Sequence, residues 1–273
     1  MTTPNESSTI DQLLAGLTLF TRFPFWKIKK IPADAFKRAV EWWPLAGWFT
    51  GGTMAISYLI ASQLWTAHVA LLITLVVRIL ITGALHEDGL ADVCDGLGGG
   101  TTPTRRLEIM KDSHIGTYGV LGLIVYNLLI YCTLLSGYEH IHWMVFLIFD
   151  PGCKAISTQI INILPYARPV EQSKIQTVYQ RISLISSLRA IFIGLLPLLL
   201  WCMWNTTHGI AFSRVLISYA LPMCIPIFVL LILTSLYKKK IGGYTGDCCG
   251  ATFLLLELSA FLSWSAIDNL GIM

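Results

Sequence analysis

Long apolar stretches alternate with short polar links along this chain, and the pattern predicts helices that cross a membrane. The apolar stretches lie at 45–65, 67–85, 117–137, 141–163, 184–204, 211–236 and 250–270. An α-helix needs about 20 apolar residues to span the hydrocarbon core of a bilayer. We therefore expect an all-α fold, a polytopic membrane bundle of about seven transmembrane helices.

The composition agrees with a protein that resides in the lipid bilayer. Of the 273 residues, 55% are hydrophobic and 13% are charged, whereas soluble domains carry about 25% charged residues. The net charge of +3 is too small to indicate a nucleic-acid partner. We expect one membrane-embedded domain over 1–273, with 1–44 as a cytoplasmic or interfacial segment and 45–270 as the transmembrane bundle.

Basic residues occur in alternate links, and this alternation orients the bundle. Lys and Arg are absent from the links at 66, 138–140 and 205–210, and they are present in the segments between those links. Because basic loops remain on the cytoplasmic side, the pattern places the N-terminus in the cytoplasm. The loops with the most polar chemistry then also face the cytoplasm.

The strongest candidate for chemistry follows the second apolar stretch, at 83–100. Asp88, Asp92 and Asp95 are spaced by four and three residues, so on a helix they share one face. Clustered carboxylates favour a divalent cation, and Mg²⁺ prefers carboxylate oxygens, water and phosphates. His86 lies about half a turn away and could be a general base, a phosphate ligand or an interfacial histidine. The alternative for the whole block is a solvated acidic loop.

Two further blocks combine polar side chains with glycines. At 107–119, Lys111 could bind a phosphate and Asp112 could complete a metal site, or the two could form a simple interfacial pair. At 238–250, three lysines are typical of a membrane-surface anchor, whereas Thr245 and Asp247 favour a phosphate or metal site.

Charged residues inside apolar stretches are costly and therefore indicate function or pairing, and Asp150, Lys154 and Glu257 are candidates of this kind. Asp150 and Lys154 are four residues apart and could pair on one helix face, with Pro151 and Gly152 breaking the helix. Glu257 lies in the last stretch and could face the same cavity as Asp247.

The three blocks together resemble the cobalamin synthase family, the adenosylcobinamide-GDP ribazoletransferases. The resemblance rests on the motifs at 86–96, 109–119 and 242–251, with further matches at 19–24 and 43–47. This sequence departs from the family pattern at His114, where an Arg is usual, and at Glu87, which is often apolar. The segment from Asp150 to Lys154 stands where a Ser-Arg pair is expected.

The resemblance implies transfer of a cobinamide phosphate from adenosylcobinamide-GDP to α-ribazole or its 5′-phosphate, with release of GMP. It implies Mg²⁺ held by Asp88, Asp92 and Asp95, with His86 or one aspartate accepting the proton of the ribazole hydroxyl. The substrate-binding residues would be Arg22, Lys111, Asp112, His114, Thr245 and Asp247. The expected location is the cell inner membrane, multi-pass, with the active site facing the cytoplasm. The sequence leaves open whether the chain forms a homo-oligomer or joins a cobalamin-assembly complex.

Two other functions fit parts of the pattern. A CDP-alcohol phosphotransferase also uses Asp-Gly-rich clusters at a membrane surface, but it has an Arg where this chain has Asp92. A cation or metabolite transporter would line its pathway with Asp150, Lys154 and Glu257, but no inverted repeat marks such a pathway.

Reporter fusions test the predicted orientation. Fusions in the links without Lys or Arg should report an external location, and fusions in the basic loops should report the cytoplasm. The external positions are Thr66, Gly137 and His208, and the cytoplasmic positions are Gly99, Gln172 and Lys239. A C-terminal fusion that reports a cytoplasmic location would contradict an odd number of spans.

Overall fold

Helices carry nearly all of the chain in the computed structural model, which describes residues 7–136, 142–168 and 179–270. The helices are α1 (Thr9–Phe20), α2 (Trp43–Leu64), α3 (Ala67–Thr82), α4 (Leu85–Gly99), α5 (Pro103–Ile109), α6 (Thr117–Ser136), α7 (Met144–Ser157), α8 (Ile160–Ile163), α9 (Leu184–Thr207), α10 (Phe212–Ala220), α11 (Cys224–Ile241) and α12 (Gly246–Asn269). Two 3₁₀ helices, Phe25–Lys27 and Ala33–Trp42, connect α1 to α2. The all-α prediction is confirmed.

Within these described ranges, 5 segments are long and apolar enough to cross a membrane, or up to 6 if the bent pair α3 and α4 is one span. The 5 are α6, α7 with α8, α9, α10 with α11, and α12. This confirms a multi-pass membrane protein. The count of about seven stays a prediction, because α2 is long enough to span a membrane, with 22 residues, but is less apolar than the five segments above.

A sharp turn follows α3, close to the predicted end of the second apolar stretch at residue 85. The axes of α3 and α4 meet at 89°, and the turn uses left-handed backbone at Gly83 (φ 66°) and Ala84 (φ 57°). The Arg22 backbone N–H donates to the Ile81 carbonyl over 2.6 Å, and the Arg22 guanidinium occupies the space that a side chain at residue 83 would need. The left-handed backbone and the close Arg22 side chain both favour glycine at position 83. The aspartate block consequently lies on a helix perpendicular to α3.

The centre of the bundle is formed by α12, which packs along α4, α6, α7 and α11. On its other side α7 packs against α2, where glycines allow backbone contact. A Cβ added at Gly47 would lie 2.6 Å from the Pro151 Cα. The expectation that Pro151 breaks the helix is wrong, because α7 continues through it from Met144 to Ser157.

The charged residues predicted inside the apolar stretches lie in two clusters inside the bundle. Lys154 donates to Asp150, as predicted, and also to the Thr50 hydroxyl over 2.7 Å. Arg78 of α3 donates to Glu257 of α12 over 2.7 Å and to Glu87 of α4 over 3.1 Å. Glu257 therefore does not face the same cavity as Asp247, contrary to the sequence-based expectation. It pairs with an arginine whose role the sequence did not reveal.

Removal of Arg78 should strongly destabilise the protein. The side chains of Arg78 and Glu257 are 1% and 0% exposed, and an Arg78→Met variant would leave two buried carboxylates without their cation. We expect a loss of about 3–5 kcal/mol in the free energy of unfolding. Arg105→Met is the matched control, since Arg105 pairs with Glu108 in solvent, at 62% and 57% exposure, where a pair contributes about 0–1 kcal/mol. Equal losses of stability in detergent for the two variants would contradict a structural role for the Arg78 ion pairs.

Candidate active site

Two cavities border α4, one at the start of α12 and the other at the loop that joins α5 to α6. The first, here called the central cavity, has a volume of about 110 Å³. Its lining comes from α1, the start of α2, α4, the loop after α8 and the start of α12. The lining residues are Leu19, Phe20, Val40, Trp43, Leu85, His86, Asp88, Tyr166, Arg168, Tyr179, Gly246, Asp247, Cys249 and Gly250.

The second, here called the lateral cavity, has a volume of about 190 Å³ and is mainly polar. It lies between α4 and the loop that joins α5 to α6. The lining residues are Asp88, Ala91, Asp92, Lys111, Asp112, Ser113 and Ile115. Asp88 borders both cavities. An exposed carboxylate therefore stands at the junction between an aromatic space and a charged one.

Two glycines bring the helices that form the central cavity into backbone contact. A Cβ at Gly89 of α4 would lie 2.7 Å from the Asp247 carbonyl oxygen, which is too close for any side chain. A Cβ at Gly250 of α12 would lie 3.2 Å from the His86 Cα. Because neither position carries a side chain, Asp88 and Asp247 can line the same small space.

His86 is enclosed by aromatic rings and lines the central cavity. It is 2% exposed, and its ring centroid lies 4.9 Å from that of Phe253 and 5.5 Å from that of Trp43. Its Nε2 atom has no hydrogen-bond partner in the part of the chain that the structure describes. A buried nitrogen without a partner is costly and is often satisfied by a ligand.

The Asp95 carboxylate contacts the start of α6. Its oxygens accept hydrogen bonds from the Gly116 and Gly119 backbone N–H groups, over 2.7 and 2.8 Å. These groups belong to the first turn of α6, so Asp95 caps that helix. A Cβ at Gly116 would lie 2.5 Å from the Asp95 Oδ1, which explains the glycine there. Asp88 and Asp92 line the lateral cavity without it.

The described residues contain no group of three or more His, Cys, Asp or Glu side chains that could hold a metal ion. The three-aspartate Mg²⁺ site therefore stays a prediction. The chemistry of the lateral cavity still suits the ion, because Asp88, Asp92 and Asp112 present carboxylate oxygens beside Lys111. With so few protein ligands, the remaining positions on the ion would fall to water and phosphate oxygens.

The loop at 111–115 holds Asp112 in its charged form. The His114 backbone N–H donates to the Asp112 Oδ1 over 3.0 Å, and the His114 Nδ1 lies 2.7 Å from the same oxygen. These two bonds hold the pKa of Asp112 below its usual range. The His114 side chain itself is 91% exposed and lines neither cavity.

The remaining predicted substrate-binding residues separate into those that line the central cavity and those that do not. Asp247 lines it, and its Oδ2 lies 3.5 Å from the Arg168 guanidinium. Thr245 is fully buried, and its hydroxyl accepts from the Cys248 N–H at the start of α12. Arg22 lies on the turn at Gly83, outside both cavities. Arg168, which the sequence marked only as a basic loop residue, is the cation of the central cavity.

Comparison with known proteins identifies the family. A family model described as cobalamin-5-phosphate synthase matches residues 12–265. This chain belongs to the cobalamin-5-phosphate synthase family. A Vibrio cholerae relative named adenosylcobinamide-GDP ribazoletransferase is 33% identical over 93% of this chain and 92% of its own length. Relatives with the same name from Leptothrix cholodnii and Shewanella baltica are each 32% identical, over 92% and 96% of this chain and 93% and 96% of theirs. No solved structure matches.

Membership of the cobalamin-5-phosphate synthase family covers the whole candidate site. Every residue that lines the central or lateral cavity falls within the matched range of 12–265. The resemblance inferred from the three sequence blocks is therefore confirmed at the level of the family. The individual roles of the site residues remain predictions.

Asp95 and Asp88 should respond differently to removal of their carboxylates. Asp95→Ala removes the acceptor of two N–H groups at the start of α6, so we expect a loss of about 1–2 kcal/mol in the free energy of unfolding. Asp88→Ala alters an exposed position on the same helix and should change stability by no more than about 0.5 kcal/mol. Unfolding measured in one detergent compares the two. A stable Asp95→Ala protein would contradict the capping role.

Proposed function

We propose that this chain is a Mg²⁺-dependent adenosylcobinamide-GDP ribazoletransferase whose reaction takes place at the junction of the two cavities. It joins the cobinamide phosphate to α-ribazole or its 5′-phosphate and releases GMP. Transferase activity in cobalamin synthesis follows from the family. The observation that carries the mechanism is the position of Asp88, which borders both cavities.

The lateral cavity is the site for the diphosphate. Lys111 neutralises phosphate oxygens there as a mobile point charge. Asp88 and Asp92 would hold Mg²⁺, with Asp112 beside them. The ion would neutralise charge on the diphosphate and orient it for in-line attack. The His114 contacts hold the Asp112 carboxylate charged and in one orientation, so the exposed loop keeps the polar wall of the cavity in place.

The nucleophile is the ribazole hydroxyl, which must lose a proton as it attacks phosphorus. Asp88 can accept that proton, because it borders both the central and the lateral cavity. His86 is buried at the wall of the central cavity and carries an unpartnered Nε2. It is suited to hold the ribazole in position, or to serve as the base in place of Asp88.

We further propose that the protein lies in the cell inner membrane with both cavities facing the cytoplasm. The alternation of basic loops supports this orientation, and nucleotides and Mg²⁺ are present on that side. The large corrinoid would remain outside the cavities, against the bundle surface, while its diphosphate reaches the junction. The N-terminus would then be cytoplasmic.

The geometry argues against the transporter alternative. Asp150, Lys154 and Glu257 are each fully buried and each pairs with an opposite charge. Because these ion pairs are buried between packed helices, they do not line a path for a transported substrate. The family match likewise separates this chain from the CDP-alcohol phosphotransferases.

Release of GMP tests the proposal. Purified protein with adenosylcobinamide-GDP, α-ribazole and Mg²⁺ should release GMP, and Asp88→Asn should lower turnover at least a hundredfold, or about 3 kcal/mol of transition-state stabilisation. Asp92→Asn should raise the Mg²⁺ concentration needed for half-maximal rate. Lys111→Gln should raise the KM for adenosylcobinamide-GDP.

The control for charge removal is Glu108→Gln, because Glu108 is exposed on α5 and lines neither cavity. Its GMP release should match that of the wild type. Near-normal turnover in both Asp88→Asn and Asp92→Asn would exclude a shared metal at the lateral cavity. Absence of GMP release from the wild-type protein would overturn the function itself.

A further inference from the structure

The two cavities differ in the chemistry of their linings, so each suits a different part of the reactants. The lateral cavity is lined by five polar side chains, four of them charged, whereas the central cavity is lined chiefly by apolar and aromatic ones. Phe20 and Trp43 form a stacked pair, with ring centroids 4.9 Å apart and planes inclined by 17°. Tyr166 and Tyr179 line the cavity from the loop after α8. Aromatic walls of this kind favour a flat aromatic ligand.

The size of the central cavity narrows the choice of ligand. At about 110 Å³ it lies below the roughly 300–1,000 Å³ typical of sites for drug-sized molecules. A corrin ring therefore does not fit. A small ring system such as a single bicyclic base is the part of the reactants closest in size to this space.

Two buried nitrogens at this cavity lack partners among the described residues. They are the Trp43 Nε1 and the His86 Nε2, in side chains that are 1% and 2% exposed. The indole N–H can only donate, and the imidazole can donate or accept. A ring nitrogen with a free lone pair, or a sugar hydroxyl close to it, would satisfy either of them.

The polar groups of the cavity also distinguish between the two bases in the reaction. Guanine would need several fixed donors and acceptors around its edge. Among the described residues that line the central cavity, Asp247 is the one carboxylate besides Asp88, and it already lies 3.5 Å from Arg168, with both side chains largely buried. A benzimidazole has no exocyclic polar group and one free ring nitrogen, which matches a wall of aromatic rings with two unpartnered buried nitrogens.

Resting on the proposed function, we infer that the central cavity is the binding site for the benzimidazole base of α-ribazole. The base lies among Phe20, Trp43, Tyr166 and Tyr179, and its free nitrogen accepts from Trp43 or His86. Its ribose then extends towards Asp88, which brings the hydroxyl to the junction with the lateral cavity. The guanine and the corrin remain outside this space.

Gly246 offers a direct test because it lines the central cavity and no atom lies within 4 Å of where its Cβ would be. Gly246→Leu should therefore fill the cavity without a clash in the protein. We expect its KM for α-ribazole to rise at least tenfold, while its KM for adenosylcobinamide-GDP stays within twofold. Gly52→Leu is the control, since the nearest atom to its Cβ is the Leu147 Cδ1 at 3.8 Å; both of its KM values should match the wild type.

Equilibrium dialysis of α-ribazole against the wild-type protein, without adenosylcobinamide-GDP or Mg²⁺, tests binding apart from turnover. 5,6-Dimethylbenzimidazole should displace α-ribazole, and guanosine should not. Trp43→Phe, which keeps an aromatic ring but removes the indole N–H, should weaken binding about threefold or more. If Gly246→Leu does not fold, α-ribazole binding by Trp43→Phe tests the proposed site instead.

The results separate this inference from the proposed function. Binding of α-ribazole that Gly246→Leu abolishes, in a protein that releases no GMP, would support the site and overturn the function. Normal GMP release with an unchanged α-ribazole KM in both Gly246→Leu and Trp43→Phe would overturn the site and leave the function intact. Displacement by guanosine, or a rise confined to the KM for adenosylcobinamide-GDP, would assign the cavity to the nucleotide instead and overturn the inference.

Discussion

The arrangement of the candidate site depends on one buried guanidinium, that of Arg78. It joins three helices, because the arginine lies on α3, Glu87 on α4 and Glu257 on α12. The Tyr126 hydroxyl of α6 also donates to Glu257, over 3.3 Å. Two carboxylates share one cation, and burial of such a cluster is unfavourable unless its geometry is fixed. The cluster therefore favours one relative position of α4 and α12, the two helices that carry Asp88 and Asp247.

The glycine contacts act on the same pair of helices at closer range. Arg78 connects α3 to α4 and α12 through its two ion pairs, whereas Gly89 and Gly250 set how near α4 comes to α12. A larger side chain at either glycine would separate the helices and widen the central cavity. Its small volume is thus a consequence of packing, and its selectivity for a flat ligand would come from the backbone as much as from the aromatic walls.

Features that depend on nearby residues could be predicted from the sequence. Asp150 and Lys154 are one helical turn apart, so their pairing follows from spacing alone. The placement of Asp88, Asp92 and Asp95 on one helix follows in the same way. The spacing could not show that Asp95 would cap α6, because its partners at Gly116 and Gly119 lie 21 and 24 residues away. Arg78 and Glu257 are 179 residues apart, and no local pattern connects them. Gly83 was a signal for the turn at the end of α3, and it lies close to the predicted end of that apolar stretch at residue 85.

The departures from the family pattern gain a physical reason from these contacts. At position 87 the family pattern often has an apolar residue, whereas this chain has Glu87. A buried acid there would be unfavourable without a cation. Here Arg78 supplies that cation from the preceding helix, nine residues earlier in the chain. Lys154 similarly neutralises Asp150 within α7, and its Nζ lies 4.5 Å from the Phe253 ring centroid. Phe253 in turn contacts the His86 ring. Both unusual acids are therefore neutralised by basic residues. Glu87 is next to His86 in the chain, and Lys154 reaches the His86 ring through Phe253, so each departure lies one contact behind the wall of the central cavity and leaves Asp88 and Asp92 unchanged.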